Sequence, residues 1–189
     1  MAHEETTREK LILAGISEIE RRGIQNFSLR QVANACGVSC AAPYKHFTDK
    51  NDLILAIILY VNQQWCDKQP GIIAPFPGDP RRQLIEMSMA YIQFLLDYPH
   101  FRSIIMLRDD SMDEKARHVK SEMSQCTRDI IRQYCQSVGM PPDAERRKTY
   151  IVRSLIYGAA LMLDNGELPM TPDVMDAIRG AITREFDLD

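Results

Sequence analysis

Five residues within twelve positions carry groups that bind a polyanion: Ser39, Tyr44, Lys45, His46 and Lys50. Two hydroxyls, two ammonium groups and an imidazole all donate hydrogen bonds, and phosphate oxygens or base edges accept them. Arg30 adds a guanidinium shortly upstream. The elements that must hold them are legible around them. Ser28-x-x-Gln31 is a capping-box pattern that opens a helix over about 29–35. Gly37 supplies the positive φ of a tight turn, and Val38 tucks beneath it. Ser39 is the expected N-cap of a third helix from Cys40 to Phe47, with Pro43 at or just past its first turn. Two short helices around a glycine turn form a helix-turn-helix, which lays its second helix in a DNA groove.

Charge supports that placement. The chain of 189 residues carries a net charge of -3, which by itself does not point to DNA. From Arg21 to Lys50, however, five basic residues (Arg21, Arg22, Arg30, Lys45, Lys50) face Asp49 alone. A local charge of +4 sits on a remainder of -7, the pattern of a nucleic-acid module joined to a separate body.

The flanking chain reads as helices throughout. Thr6-x-x-Glu9 is another capping box, followed by Leu11, Ile12, Gly15, Ile16 and Ile19 at helical spacing. Glu18, Glu20, Arg21 and Arg22 are expected on its wet face, and Gly23 ends it. Thr48 or Asp49 opens a fourth helix, apolar on more than one face, that is expected to end at Trp65–Lys68. Six prolines and glycines between Pro70 and Pro80 predict a loop there. Further helices are predicted over 81–98, 100–107, 113–138, 143–164 and 172–186, for a total of about nine and no strand. The fold class is therefore all-α. Residues 1–50 are expected to form the helix-turn-helix domain and 51–189 a helical body.

The five cysteines (Cys36, Cys40, Cys66, Cys126, Cys135) are odd in number and fit no disulfide framework, which predicts reduced thiols. The polar start MAHEETTREK is no signal peptide, and no apolar run approaches the roughly 20 residues needed to span a bilayer. A cytoplasmic protein without membrane attachment is expected.

The run TREKLILAGISEIERRGIQNFSLRQVANACGVSCAAPYKHFTDKNDLILA resembles the N-terminal domain of the TetR family of bacterial transcriptional regulators. The resemblance rests on Gly23 and Gly37, on Gly37-Val38-Ser39, on Tyr44-x-His46-Phe47, and on Lys50 opening the next helix. It covers about 55 residues. It implies a DNA contact set of Arg30, Ser39, Ala41, Ala42, Tyr44, Lys45, His46 and Lys50, with Lys45 as the best candidate for reading base edges. Two positions depart from the commoner pattern. Ala42 stands where threonine is usual, which removes a hydroxyl, and Pro43 stands where leucine is usual.

The resemblance also implies a body with two tasks. One is a small-molecule cavity, for which the candidates are Trp65, Met87, Tyr91, Phe94, Phe101, Met106, Met123, Cys126, Ile130, Tyr134 and Tyr157. A methionine and aromatic stripe is also what an ordinary core looks like. His100, Arg102 and Arg108 are candidate anion-binding residues within it. The other task is a homodimer through the last two helices, with Ile151, Leu155, Gly158, Ala159, Met162, Ile178 and Ile182 as candidates. The function implied is repression at a palindromic double-stranded operator, relieved by a small-molecule effector, with no cofactor and no metal. Two rival readings stand beside it. An α-helical enzyme lacks any H-E-x-x-H, phosphate loop or G-x-S-x-G signature here. An adaptor using the helix-turn-helix for protein contacts would show no steep salt dependence on DNA.

Overall fold

The computed structural model describes residues 6–99, 125–141 and 143–187. Among these residues there are seven α-helices, two single-turn 3-10 helices and no strand. They are α1 (Thr7–Arg22), a 3-10 turn (Ile24–Asn26), α2 (Leu29–Ala35), a 3-10 turn (Pro43–Lys45), α3 (Lys50–Ile73), α4 (Pro80–Asp97), α5 (Gln125–Ser137), α6 (Ala144–Asp164) and α7 (Pro172–Asp187). None is long and apolar enough to cross a membrane. The chain divides into two compact units, with the change between Gln64 and Trp65 inside α3.

The first unit is built on α1, α2 and the start of α3. Thr6 and Glu9 form the reciprocal capping box at the start of α1. Leu11, Ile19, Val32, Phe47, Leu53 and Ile58 form a core that is almost wholly closed to solvent. Gly15 has a packing reason: a Cβ there would meet Ile57 Cδ1 at 2.8 Å. Glu18, expected on the wet face, is buried instead. Its carboxylate is covered by two charge partners one turn on, Arg21 and, at 3.1 Å, Arg22. Pairing lets the acid leave water, because the guanidinium groups replace the lost hydration.

Three expectations change. The predicted helix from Cys40 to Phe47 is a turn followed by the 3-10 turn Pro43–Lys45. Pro43 has no N–H to give the carbonyl of Ser39, which instead accepts from Ala42 N–H at 2.9 Å, a tighter i to i+3 bond. Second, α3 does not stop before Pro70 but runs through it to Ile73. Proline in the final turn costs one hydrogen bond near an end that is already short of partners, and Pro70 O still accepts from Ala74 N–H at 3.0 Å. Third, the count among the described residues is seven α-helices, not nine. The predicted helix at 100–107 and the first part of 113–138 lie outside the described residues.

In the second unit α4 is the central element and packs against α5, α6 and α7. Asp79 caps it by accepting from Arg82 N–H at 2.9 Å, with Pro80 at the first helical position. Leu84, Met87, Ile92, Phe94 and Leu95 of α4 are buried, as are Ile131, Ala160, Ile182 and Phe186 of the helices packed against it. The Arg81 guanidinium grips Asp187 with two bonds of 2.8 and 2.9 Å, and Arg179 reaches Glu86 at 2.8 Å, so the first half of α4 is tied to the middle and end of α7.

Candidate nucleic-acid interface and effector groove

The helix-turn-helix is set by its turn. At the end of α2, Gly37 adopts φ 67°. Its N–H bonds Asn34 O at 3.1 Å, and Val38 N–H bonds Ala33 O at 3.0 Å. This pair of bonds is a Schellman motif, and it needs a left-handed residue at its centre. Beyond it, buried Pro43 and Phe47 pin the next segment into the core of the first unit. The guanidinium carbon of Arg8 lies 5.4 Å from the Phe47 ring centroid, covering that anchor.

With both anchors inward, the intervening side chains must point out. Tyr44 is 61% exposed, a large fraction for an aromatic ring, and Lys45 and His46 flank it in water. Ser39, Ala41 and Arg30 are exposed too, while Ala42 is half-buried. Lys50 differs from the rest. Its ammonium donates to Ile24 O at 2.9 Å and lies 5.9 Å from the Phe27 ring centroid. One of its three N–H donors therefore holds the first residue of the Ile24–Asn26 turn. At the start of α3, Asp49 Oδ1 accepts from Asp52 N–H and Asp52 Oδ2 from Thr48 N–H, both at 2.9 Å. These two carboxylates offset the cation at a helix N-terminus.

In the second unit the expected cavity residues fall into two groups. Trp65, Tyr91, Phe94 and Tyr157 form one aromatic cluster, with ring centroids of Trp65 and Tyr91 4.7 Å apart and of Trp65 and Phe94 5.3 Å apart. Tyr98, absent from the sequence-based set, joins it at 4.9 Å from Phe94. Burial, reinforced by the Tyr157 hydroxyl, pushes the Tyr91 phenol well above its usual range. Tyr134 belongs elsewhere: its ring stands edge-on to Phe186 and its hydroxyl donates to Phe186 O. Met87 and Ile130 are buried and Cys126 is half-buried. Phe101, Met106 and Met123, and the anion candidates His100, Arg102 and Arg108, lie outside the described residues.

An open groove of about 910 Å³ borders this region, walled by Arg128 of α5 and by Arg146, Tyr150, Arg153 and Tyr157 of α6. Of the expected cavity residues that are described, only Tyr157 lines it. The other groove residues escaped sequence reasoning, although Arg146, Tyr150, Arg153 and Tyr157 fall at i, i+4, i+7 and i+11, one face of a helix. Of the expected dimer residues, Ile151, Leu155, Gly158 and Ile178 are half-buried and Met162 is 38% exposed. Ala159 and Ile182 are buried in the protomer's own core.

Residues 11–57, which contain this turn and both anchors, match the model of the family described as "Bacterial regulatory proteins, tetR family". The chain is 26% identical over 162 residues to the HTH-type transcriptional regulator AcrR of Shigella flexneri, covering 80% of this chain and 75% of that protein. It is 24% identical over 147 residues to the probable acrEF/envCD operon repressor of Escherichia coli K12, covering 70% of this chain and 64% of the repressor, somewhat under two thirds of its length. A solved TetR family transcription regulator from Marinobacter aquaeolei VT8 has the same fold, with a TM-score of 0.75, 20% identity and 94% of each chain covered. Residues 11–57 thus carry a tetR-type helix-turn-helix, and over most of its length the chain is similar to regulators of that family.

Proposed function

We propose that this DNA-binding transcriptional regulator is a repressor that acts as a homodimer on a palindromic operator and is released by a small-molecule effector. The observation that carries the reading is the outward presentation of Tyr44, Lys45 and His46 between two buried anchors, Pro43 and Phe47. A 61% exposed tyrosine beside an ammonium and an imidazole has the donor set and the position of a phosphate-gripping edge. Residues 1–50 read the DNA, with Arg30, Ser39, Ala41 and Ala42 completing the contact surface and Lys50 shared between phosphate and the Ile24 carbonyl. Residues 51–189 form the effector-binding and dimerising body. The reading is of a cytoplasmic binding protein, with no turnover and no cofactor.

Support for the dimer comes from α6. Leu161 (42% exposed) and Met162 (38%) stand outward near Gly158, where a Cβ would meet nothing within 4 Å. Large apolar side chains beside an open glycine suit close approach of another helix. Ala159 and Ile182 are already spent inside the protomer and are left out of the proposed contact.

The test is selection of bound sequences from random duplex DNA, followed by gel-shift titration. Enrichment of a two-fold symmetric site bound by a dimer is expected. Recovery of no preferred sequence, or binding by a monomer in light scattering, would sink the reading.

A further inference from the structure

The groove between α5 and α6 has a chemistry that the operator-binding reading leaves unused. Arg146 and Arg153 stand on one face of α6, two turns apart, with Tyr150 between them and Arg128 opposite. Two carboxylates also line it, Asp143 and Glu145, but each is engaged by an arginine that does not: Asp143 by Arg147 at 3.6 Å and Glu145 by Arg132 at 3.6 Å. Among the described residues Arg146 and Arg153 form no ion pair, and Arg153 donates only to the neutral hydroxyl of Tyr157, at 3.3 Å. The groove therefore offers guanidinium forks whose natural complement, a carboxylate, is not supplied from within.

The walls define the rest of the ligand. Tyr150 is 73% exposed, and the Arg153 guanidinium carbon lies 5.7 Å from the Tyr157 ring centroid. Flat aromatic faces beside cationic forks favour an anion that carries an aryl or alkyl tail. About 910 Å³ is room for such a molecule. We infer that this groove is the effector site and that its ligand is an organic carboxylate with an apolar tail, held by Arg146 and Arg153 and packed against Tyr150 and Tyr157. The inference rests on the effector-released reading above.

The same contacts supply a route for the signal. Arg153 holds the Tyr157 hydroxyl, Tyr157 is bonded to Tyr91, and Tyr91 packs on Trp65 of α3. A carboxylate that takes the Arg153 guanidinium competes with the Tyr157 hydroxyl for it. The ligand then favours whichever arrangement of Tyr157, Tyr91 and Trp65 frees that guanidinium, and a switch needs such a difference between states.

Trp65 is the only tryptophan of the chain, so its emission reports on this cluster. The full-length protein is titrated with benzoate, 4-phenylbutyrate and decanoate, and with the matching neutral amides, by calorimetry and Trp65 emission. At least one acid is expected to bind saturably and change the emission, with its amide roughly tenfold weaker or worse. Arg146→Gln with Arg153→Gln should weaken the acid by a similar factor while keeping the helical content and thermal midpoint of the parent. Both arginines are exposed, so the variant keeps its core. Equal binding of acid and amide, unchanged binding by the double variant, or no binding by any of the three acids would overturn the inference. Acid binding that persists in a protein selecting no operator would uphold the groove and remove the repressor reading alone.

Discussion

The ammonium of Lys148, wholly buried on α6, donates to the carbonyl of Glu185 in the last turn of α7 at 2.6 Å. The next carbonyl, Phe186 O, accepts from the Tyr134 hydroxyl of α5. The last carbonyls of a helix have no partner within it, and two side chains from two other helices satisfy them here. A cation at a helix C-terminus is also favoured by the dipole.

Lys148→Met keeps the bulk of the side chain and removes the donor. It is expected to lose about 1–3 kcal/mol in urea unfolding, because Glu185 O is left buried and unpaired. Tyr134→Phe should lose about 1 kcal/mol, and the double variant less than the two losses combined, since both donors fix the same helix end. A Lys148→Met protein as stable as the parent would mean that desolvating the ammonium costs as much as its bond returns.

Gly15→Ala sets two effects against each other. Alanine is better than glycine inside a helix by about 1 kcal/mol. Its Cβ, however, would sit 2.8 Å from Ile57 Cδ1 in a closed core. The single change should therefore be near neutral or destabilising by about 1 kcal/mol. In an Ile57→Val background, where that methyl is gone, Gly15→Ala should stabilise. Thermal midpoints of the four proteins check this, and a penalty equal in both backgrounds would show that the contact is not the cause.

Lys45 and Tyr44 differ in the salt dependence they control. Lys45→Ala should weaken operator binding and lower the slope of log affinity against log salt by about one unit, for one phosphate charge lost. Tyr44→Phe removes a neutral donor and should weaken binding with the slope unchanged. A Lys45→Ala protein with the parent slope would place that ammonium on a base edge or off the DNA.

Thiol reactivity should follow burial. Desolvation pushes the thiols of Cys36, Cys126 and Cys135 above their usual range, with the Lys10 and Lys148 ammonium groups partly opposing this at Cys36 and Cys135. Less thiolate exists near neutral pH, and their reaction with a disulfide reagent should accelerate only as pH rises. Exposed Cys40 should be labelled first. Mass mapping of the early product tests this; early labelling of buried Cys135 would contradict it.

Much of the first unit was legible because its signals are local. A capping box spans four residues, as Thr6 and Glu9 do, and Gly37 needs only its own φ to make the turn. The spacing of Tyr44, His46 and Phe47 could be read off the chain, with Phe47 inward and the other two outward. Even here the helix expected at 40–47 became a turn, because whether the missing Pro43 donor matters depends on what the Ser39 carbonyl finds instead. The second unit yielded its helices but not their partners. The resemblance grouped Tyr91, Tyr134 and Tyr157 alike as cavity candidates, whereas packing sent Tyr134 to Phe186, Tyr91 to Trp65 and Tyr157 to Tyr91. A lysine in a helix reads as solvated, and only the arrival of the α7 end, 37 residues later, explains why Lys148 is buried. The arginine groove likewise exists only where α5 and α6 face each other. Local backbone chemistry is written in neighbouring residues; which buried group meets which depends on contacts between helices far apart in the chain, and only the tertiary structure decides them.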